Sequence, residues 1–185
     1  MLEVNFNPFP EIKTERLLLR RLVKDDVSQM FTLRSNEKVM KFIGKPTVKT
    51  IEEALDFYNL IDTSLENNTG ISWAITLKEM PEKMIGTIGL WRLIKENYRA
   101  EIGYMLLPEY WRKGITNEAV LAVNSYGFNE MNLHSIEAHI SPKNIGSATI
   151  LEKTGFVREA YFKEDFFFNG VFEDTAIYSL LNKKN

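Results

Sequence analysis

The chain has 185 residues, no cysteine and a formal net charge of −2 at pH 7. This length suits one compact domain, residues 1–185, because a single core of this size buries enough apolar surface to fold alone. The absence of cysteine excludes disulfides, cysteine zinc sites and a thiol nucleophile. The chain has no concentrated run of lysine or arginine, which argues against a nucleic acid or an anionic membrane as its main partner.

The sequence also lacks the signals of export, membrane insertion and metal binding. Residues 1–10 do not form the basic stretch and long apolar core of a signal peptide. No window approaches the about 20 apolar residues that are needed to cross a bilayer. His134 and His139 stand five apart in a predicted strand and point to opposite faces, so they cannot form one metal site. We expect a cytoplasmic protein without a metal.

The spacing of apolar residues predicts five helices and seven strands. The predicted helices cover residues 25–35, 37–42, 50–68, 116–131 and 144–154, the first with Asp25 or Asp26 as its cap. The predicted strands cover residues 16–22, 71–77, 84–93, 99–107, 134–140, 156–168 and 171–181. Gly155 is the residue expected to end the last helix, and Asn169-Gly170 is a hairpin turn. This order predicts an α/β (α+β) fold, in which helices cover both faces of a mixed, mostly antiparallel seven-stranded sheet.

The most informative stretch is the junction of a strand and a helix. The strand predicted at residues 99–107 is followed by a loop that contains Gly114 and opens the helix predicted at residues 116–131. Such a loop points unpaired backbone N–H groups at one place, and the helix dipole and the side chains of Arg112 and Lys113 add positive potential. This is a ready site for a phosphate or pyrophosphate. The alternative is a basic turn in which glycine serves geometry alone.

From this loop outwards, the sequence resembles the GNAT superfamily of acetyltransferases. The segments that resemble its bacterial ribosomal-protein alanine N-acetyltransferases are residues 14–20 (TERLLLR), 100–104 (AEIGY), 110–114 (YWRKG), 144–147 (NIGS) and 151–156 (LEKTGF), and the closing hairpin with Asp174 and Tyr178. Gly114 matches the first glycine of the family's pyrophosphate loop, Gln/Arg-x-x-Gly-x-Gly/Ala. Trp111 and Thr116 depart from that pattern. The resemblance covers nearly the whole chain in the right order.

The resemblance implies acetyl-CoA as cosubstrate and assigns residues to it. The implied contacts to the pyrophosphate are Arg112, Lys113, Gly114, Ile115, Thr116 and Asn117. The backbone of residues 104–107 is expected to splay from the neighbouring strand, so that Met105 and Leu106 pair with the pantetheine amides. Gly103 is compatible with a bulge there, or with a close approach of another group to the backbone.

The helix at residues 144–154 supplies two further candidates. Asn144 is a good N-cap by residue type, and the resemblance adds a hydrogen bond to the pantetheine arm. Ser147 either bonds the cofactor or protonates the departing thiolate, as the resemblance implies, or is simply a polar residue of the first turn. Many family members use a tyrosine at the position of Leu151, so Tyr104 or Tyr110 are alternative acids.

Glu101 is the candidate general base. Alternation along the strand places it beside the segment expected to bind the cofactor. Attack on a thioester needs a neutral amine, so a carboxylate must accept a proton directly or through water, and several GNAT enzymes carry a base at the matching position. The structural alternative is a solvated strand glutamate that pairs with Arg99.

Together these features predict direct transfer of acetyl from acetyl-CoA to a primary amine, because no thiol is present to form an acyl-enzyme. The resemblance implies the N-terminal alanine or serine of a ribosomal protein as acceptor. Polyamines and antibiotics are alternative acceptors, and a non-catalytic CoA-binding regulatory module is an alternative function. The sequence is compatible with a monomer and with a homodimer, and the three phenylalanines at residues 166–168 could form a substrate rim or a dimer contact.

Overall fold

One eight-stranded sheet runs through the computed structural model, which describes residues 1–183. Its strands are β1 (Ile12–Lys13), β2 (Leu17–Arg21), β3 (Ile71–Leu77), β4 (Gly86–Ile94), β5 (Arg99–Leu106), β6 (Ser135–Ile140), β7 (Val157–Phe168) and β8 (Val171–Leu181). They lie in the order β1-β2-β3-β4-β5-β6-β8-β7. Among the strands of residues 1–183, only β5 and β6 pair in parallel. The last two residues of the predicted domain, 184–185, lie outside the described part.

The predicted strands and helices are present, and the sheet gains one strand. The helices are α1 (Val27–Ser35), α2 (Glu37–Met40), α3 (Ile51–Glu66), α4 (Ile115–Asn129) and α5 (Ile145–Lys153). The additional strand, β1, has two residues, which is too short to show a period in the sequence. Gly155 has φ +93° after α5, and Asn169 and Gly170 both have positive φ, so the predicted cap and hairpin turn are confirmed.

Asp26 occupies the predicted cap position of α1, but its side chain does not cap the helix. No side chain caps this helix, although Asp26 directly precedes it. The carboxylate of Asp26 is engaged elsewhere, because it accepts two hydrogen bonds of 2.7 Å from Arg20 and one of 2.9 Å from the N–H of Val23. Asp26 therefore joins the helix entry to β2 instead of satisfying the first turn.

Two apolar cores lie on opposite faces of the sheet, as alternation along β3 requires. Trp73 belongs to the larger core, where it packs with Val120 and Val123 of α4. Its neighbour Ala74 belongs to the second core, which includes Met30 of α1. Each fully buried aliphatic side chain contributes about 1.5–3 kcal/mol. Helices therefore cover both faces, as predicted, and hold the sheet from each side.

The parallel ladder between β5 and β6 is short, and this opens the sheet. Its register pairs are Arg99 with Ser135, Ala100 with Ile136 and Glu101 with Glu137. Beyond these pairs, β5 continues to Leu106 and β6 to Ile140 without pairing to each other. The splay that the resemblance implies for residues 104–107 is therefore present, and we call the opening the β5–β6 gap.

No helix within residues 1–183 combines the length and the apolar character that a membrane crossing requires.

Candidate active site

The loop between β5 and α4 has the backbone geometry of an anion site. Gly114 has φ +75° and stands at the N-cap of α4, where no side chain caps the helix. Arg112 also has a positive φ, +60°. A glycine is favoured at Gly114 because a side chain is strained in this conformation. The first N–H groups of a helix have no partner within it, so the start of α4 presents free donors at one end of its dipole.

The structure brings the predicted phosphate contacts to one place at the end of β5. They are Arg112, Lys113, Gly114, Ile115, Thr116 and Asn117. The loop is tied to β5 by Trp111, whose indole Nε1 donates to the carbonyl of Leu106 at 2.7 Å. Trp111 departs from the family's loop pattern, and this hydrogen bond gives it a structural role.

The edge of β5 that faces the β5–β6 gap carries backbone groups of alternate residues. The N–H of Leu107 donates to the carbonyl of Ile85 at 3.0 Å, on the side of β4. Alternation therefore turns the polar backbone groups of Met105 towards β4 and those of Leu106 towards the gap. The Leu106 carbonyl already accepts from Trp111, which leaves the N–H of Leu106 as its donor towards the gap. Of the two predicted pantetheine contacts, the geometry favours Leu106.

A pair of hydroxyl groups joins β5 to α5. Ser147 is 7% exposed, and its Oγ lies 2.8 Å from the phenol oxygen of Tyr104. Burial raises the pKa of Tyr104 to about 12, although the hydrogen bond with Ser147 acts in the opposite direction. Tyr104 thus keeps its proton at neutral pH. Of the two alternative tyrosines, Tyr104 meets Ser147, whereas the ring of Tyr110 lies near Lys113.

Asn144 is confirmed as the N-cap of α5, because its side-chain oxygen accepts the N–H of Ser147 at 3.1 Å. This hydrogen bond fixes the first turn of α5 and with it the position of the Ser147 side chain. Leu151, at the position of the family's tyrosine, is fully buried in the larger core.

Glu101 is 7% exposed and forms an ion pair, but its partner differs from the predicted alternative. Its carboxylate accepts from Arg92 at 2.7 Å. Arg99 pairs with Glu137 instead. Arg92 has φ +47° at the irregularity of β4 between Trp91 and Ile94, which turns its side chain to Glu101.

The bulge predicted as one option at Gly103 is therefore wrong, because the irregularity lies in β4. Gly103 marks a close approach: a Cβ at this position would overlap the indole ring of Trp91. The ring crosses the β5 backbone beside Glu101, and 38% of Trp91 remains exposed. An aromatic surface therefore borders the candidate base.

The candidate base and the hydroxyl pair lie on opposite faces of β5. Glu101 and Met105 share a face by alternation, and Met105 packs on the second core with α1 and α3. Tyr104 packs on the larger core with α4 and α5. The β5–β6 gap separates the two groups, so reactants that enter from the two faces of the sheet can meet in it.

The described residues offer no metal site beside this arrangement, and a surface depression lies away from it. Within residues 1–183, no group of three or more histidine, aspartate or glutamate side chains could hold a metal ion. An open depression of about 690 Å³ is lined by Tyr98, Phe128 and His134. Tyr98 and His134 precede β5 and β6, so this depression lies at the end of the strands away from the loop.

Comparison with known proteins identifies the family. A model of the acetyltransferase (GNAT) domain matches residues 16–157. The uncharacterized N-acetyltransferase YoaA of Bacillus subtilis is 34% identical over 176 residues, which cover 95% of this chain and 99% of that protein. The chain belongs to the GNAT family of acetyltransferases. As a member of this family it is an N-acetyltransferase.

Other GNAT proteins differ in the acceptors that their names state. A GNAT-family acetyltransferase from Bacillus anthracis matches with TM-score 0.82 and 32% identity over 93% of this chain and 98% of that one. The spermidine N(1)-acetyltransferase of Vibrio cholerae is 28% identical and covers 91% of this chain and 95% of its own length. The ribosomal L7/L12 α-N-protein acetyltransferase RimL, in complex with coenzyme A, has TM-score 0.86 at 18% identity over 95% of this chain and 100% of that one. The likeness to RimL is one of fold.

Proposed function

We propose that this GNAT N-acetyltransferase transfers acetyl from acetyl-CoA directly to a primary amine held in the β5–β6 gap. The observation that carries the proposal is the β5–β6 gap. The uncapped start of α4 lies at its end, with Glu101 on one face and the hydroxyl pair of Tyr104 and Ser147 on the other. A ping-pong route through a cysteine thioester has no thiol in this chain. The rate then depends mainly on how the residues position both reactants.

The loop residues fit the phosphates of the cosubstrate. Arg112 and Lys113 supply positive charge, and the N–H groups of residues 114–117 supply donors at the positive end of α4. The N–H of Leu106 faces the gap and suits a carbonyl of the pantetheine arm, and Asn144 stands at the neighbouring helix start.

The chemistry needs one proton to leave the amine and one to reach sulfur. The amine nitrogen bonds to the thioester carbonyl carbon, and the carbon–sulfur bond breaks. Glu101 accepts the amine proton, directly or through water, which requires the Arg92 ion pair to open or shift. Ser147, hydrogen bonded to the protonated Tyr104, donates a proton to the departing thiolate and regains one from solvent, so that the hydroxyl is restored.

For the acceptor, we propose a protein N-terminal amine, such as the N-terminal alanine or serine of a ribosomal protein. An α-amino group with a pKa near about 7.7–8.0 is partly neutral at pH 7.5, whereas a lysine side chain near about 10.4 is not. The resemblance of residues 14–20 and 110–114 to the ribosomal-protein subgroup supports this choice.

A polyamine is the second candidate acceptor. Two carboxylates, Glu101 and Glu137, are register partners of β5 and β6, so their side chains share one face of the sheet. Such a pair suits a ligand with more than one cationic nitrogen. The 28% identical spermidine N(1)-acetyltransferase of Vibrio cholerae supports the same choice.

The test is release of free thiol from acetyl-CoA with peptides that begin with alanine or serine and, separately, with spermidine. The protein has no thiol of its own, so the background is low. We expect turnover with the peptides and intersecting double-reciprocal plots, as direct transfer through a ternary complex requires. Turnover with spermidine alone, sensitive to Glu137→Gln, would instead select the polyamine. Parallel plots would reject direct transfer, and failure to bind acetyl-CoA would reject the proposed function.

A further inference from the structure

The bend between β1 and β2 contacts the loop between β5 and α4 through one arginine, Arg16. Arg16 donates from Nη1 to the carbonyl of Lys113 at 2.8 Å and from Nε to the carboxylate of Glu118 at 2.7 Å. Its backbone N–H donates to the same carboxylate at 2.9 Å. Thr14 adds a fourth hydrogen bond, from Oγ1 to Glu118 at 2.6 Å. The loop and the start of α4 are thus tied to the segment between β1 and β2, about a hundred residues earlier in the chain.

These contacts surround Gly114, the residue at the centre of the loop. A Cβ built on Gly114 would lie 3.3 Å from Nη2 of Arg16, so the guanidinium lies directly against the loop. Glu118 belongs to the first turn of α4, and its N–H donates to the carbonyl of Gly114 at 3.1 Å. Arg16 therefore contacts both the residue before Gly114 and the helical turn after it.

We propose that Arg16, held by Glu118, which also accepts a hydrogen bond from Thr14, is a positioning residue that orients the loop for the cofactor phosphates. The carbonyl of Lys113 and the N–H of Gly114 belong to one planar trans peptide unit and point in opposite directions. When Arg16 holds the carbonyl, the N–H of Gly114 is fixed facing away from β2, towards the side where the anion binds. This inference rests on the proposed function of the loop.

The position of Glu118 supports a geometric role over a purely electrostatic one. A carboxylate in the first turn of α4 stands beside the site of an anionic ligand, where its charge alone opposes binding. The carboxylate of Glu118 accepts its hydrogen bonds from Thr14 and Arg16. The benefit of Glu118 to the site is therefore the fixed position of Arg16.

The first experiment compares Arg16→Met with a matched control, Arg21→Met. Arg21, at the other end of β2, forms an ion pair with Asp62 at 2.8 Å, and its side chain is 47% exposed against 46% for Arg16. CoA affinity is measured by titration calorimetry. We expect Arg16→Met to weaken CoA by about tenfold, the order expected when a charge-assisted hydrogen bond is lost, and Arg21→Met to leave it unchanged. Equal affinity in both variants would overturn the proposal.

An acetyl donor without phosphates separates an effect on the position of the loop from a general loss of activity. Acetyl-pantetheine carries the thioester but no phosphate, so its kcat/KM should be the same in Arg16→Met and in the wild type. Equal losses with both donors would overturn the proposal. Wild-type protein that fails to bind CoA would instead reject the proposed function of the loop.

Glu118→Ala gives a test in which the two explanations predict opposite changes in CoA affinity. The substitution removes a negative charge beside the anion site, so charge alone predicts tighter binding of CoA. Loss of the position of Arg16 predicts weaker binding, and this is the result we expect, with thermal melting used to check that the variant is folded. Tighter binding in the folded variant would overturn the proposal.

Discussion

At the scale of single residues, Glu101 shows how burial and one ion pair define a candidate base. Its side chain is buried against β4, and its carboxylate has the exposed side chain of Arg92 as a partner. Because 68% of the Arg92 side chain is exposed, this ion pair is screened by solvent and can open when an amine arrives. Glu101 can therefore exchange one cationic partner for another.

We predict that Glu101→Gln keeps CoA affinity and loses most turnover. Glutamine has nearly the same shape but cannot accept the amine proton, so kcat should fall by about 10²–10⁴-fold, the usual contribution of general acid–base catalysis. Steady-state rates across about pH 6 to 9 measure the effect, with CoA titration in parallel. Glu109→Gln, on the turn after β5, serves as a control. Turnover equal to that of the wild type at every pH would remove Glu101 as the base.

At the scale of elements, the sequence predicted the helices and strands from their local patterns. Asn144 was predicted as a cap and accepts the N–H three positions ahead, whereas Thr50, predicted as the first residue of its helix, is found to be the cap of α3. The splay of β5 was expected from the resemblance, whereas the ties that hold the loop were not predicted. Arg16 meets Lys113 97 positions away, a contact that no local pattern in one sequence indicates.

The sequence also did not predict the ion-pair partner of Glu101. Arg92 meets Glu101 only because β4 is irregular between Trp91 and Ile94, and Arg92 takes a positive φ that arginine rarely adopts. Regular alternation suggested Arg99 as the partner. An irregularity of one or two residues changes which side chains share a face, and this one directly follows Trp91, whose ring packs over Gly103.

This packing leads to a prediction for β5. We expect Gly103→Ala to lower the free energy of unfolding by about 1–3 kcal/mol, because the new methyl group overlaps the Trp91 ring. The cost should become smaller in a Trp91→Ala background, which a double-mutant cycle by urea unfolding measures. Gly146→Ala in α5 is the control, since a Cβ there meets its nearest atom at an ordinary 3.7 Å. An equal cost in both backgrounds would show that the ring is not the cause.

At the scale of the whole molecule, each face of the sheet supports a different set of groups in the proposed reaction. The larger core, with α4 and α5, supports the loop and Ser147, and the second core, with α1 and α3, borders the face of Glu101. Strand β5 contributes to both, because its residues alternate between the faces, and its edge is open along the gap. The opening of one parallel ladder thus gives two reactants access to one point from opposite sides.

Two partly buried tyrosines, Tyr104 and Tyr126, make the stability of the fold vary with pH in the alkaline range. Burial raises the pKa of Tyr104 to about 12, and burial together with the charge of Glu130 raises the pKa of Tyr126 to about 12. The ordinary tyrosine value is about 10. A raised pKa in the folded state means that the contribution to stability is complete below pH of about 10 and is lost as pH rises towards 12, since the unfolded chain releases these protons first.

We therefore predict that Tyr104→Phe with Tyr126→Phe flattens the fall of stability above pH of about 10. Phenylalanine keeps the ring, including the contact of residue 126 with Trp73, whose centroids are 5.3 Å apart, but has no proton to release. Urea unfolding at a series of pH values from about 8 to 11 gives the slope of the unfolding free energy against pH for each protein. The unfolding free energy at pH of about 8 measures the cost of the lost hydrogen bonds separately from titration. Because the slope depends on the difference in bound protons between the unfolded and folded states, removing two groups that differ must reduce it. An unchanged slope would mean that these two hydroxyls titrate alike in both states, and the burial at the end of β5 and along α4 would then not hold their protons.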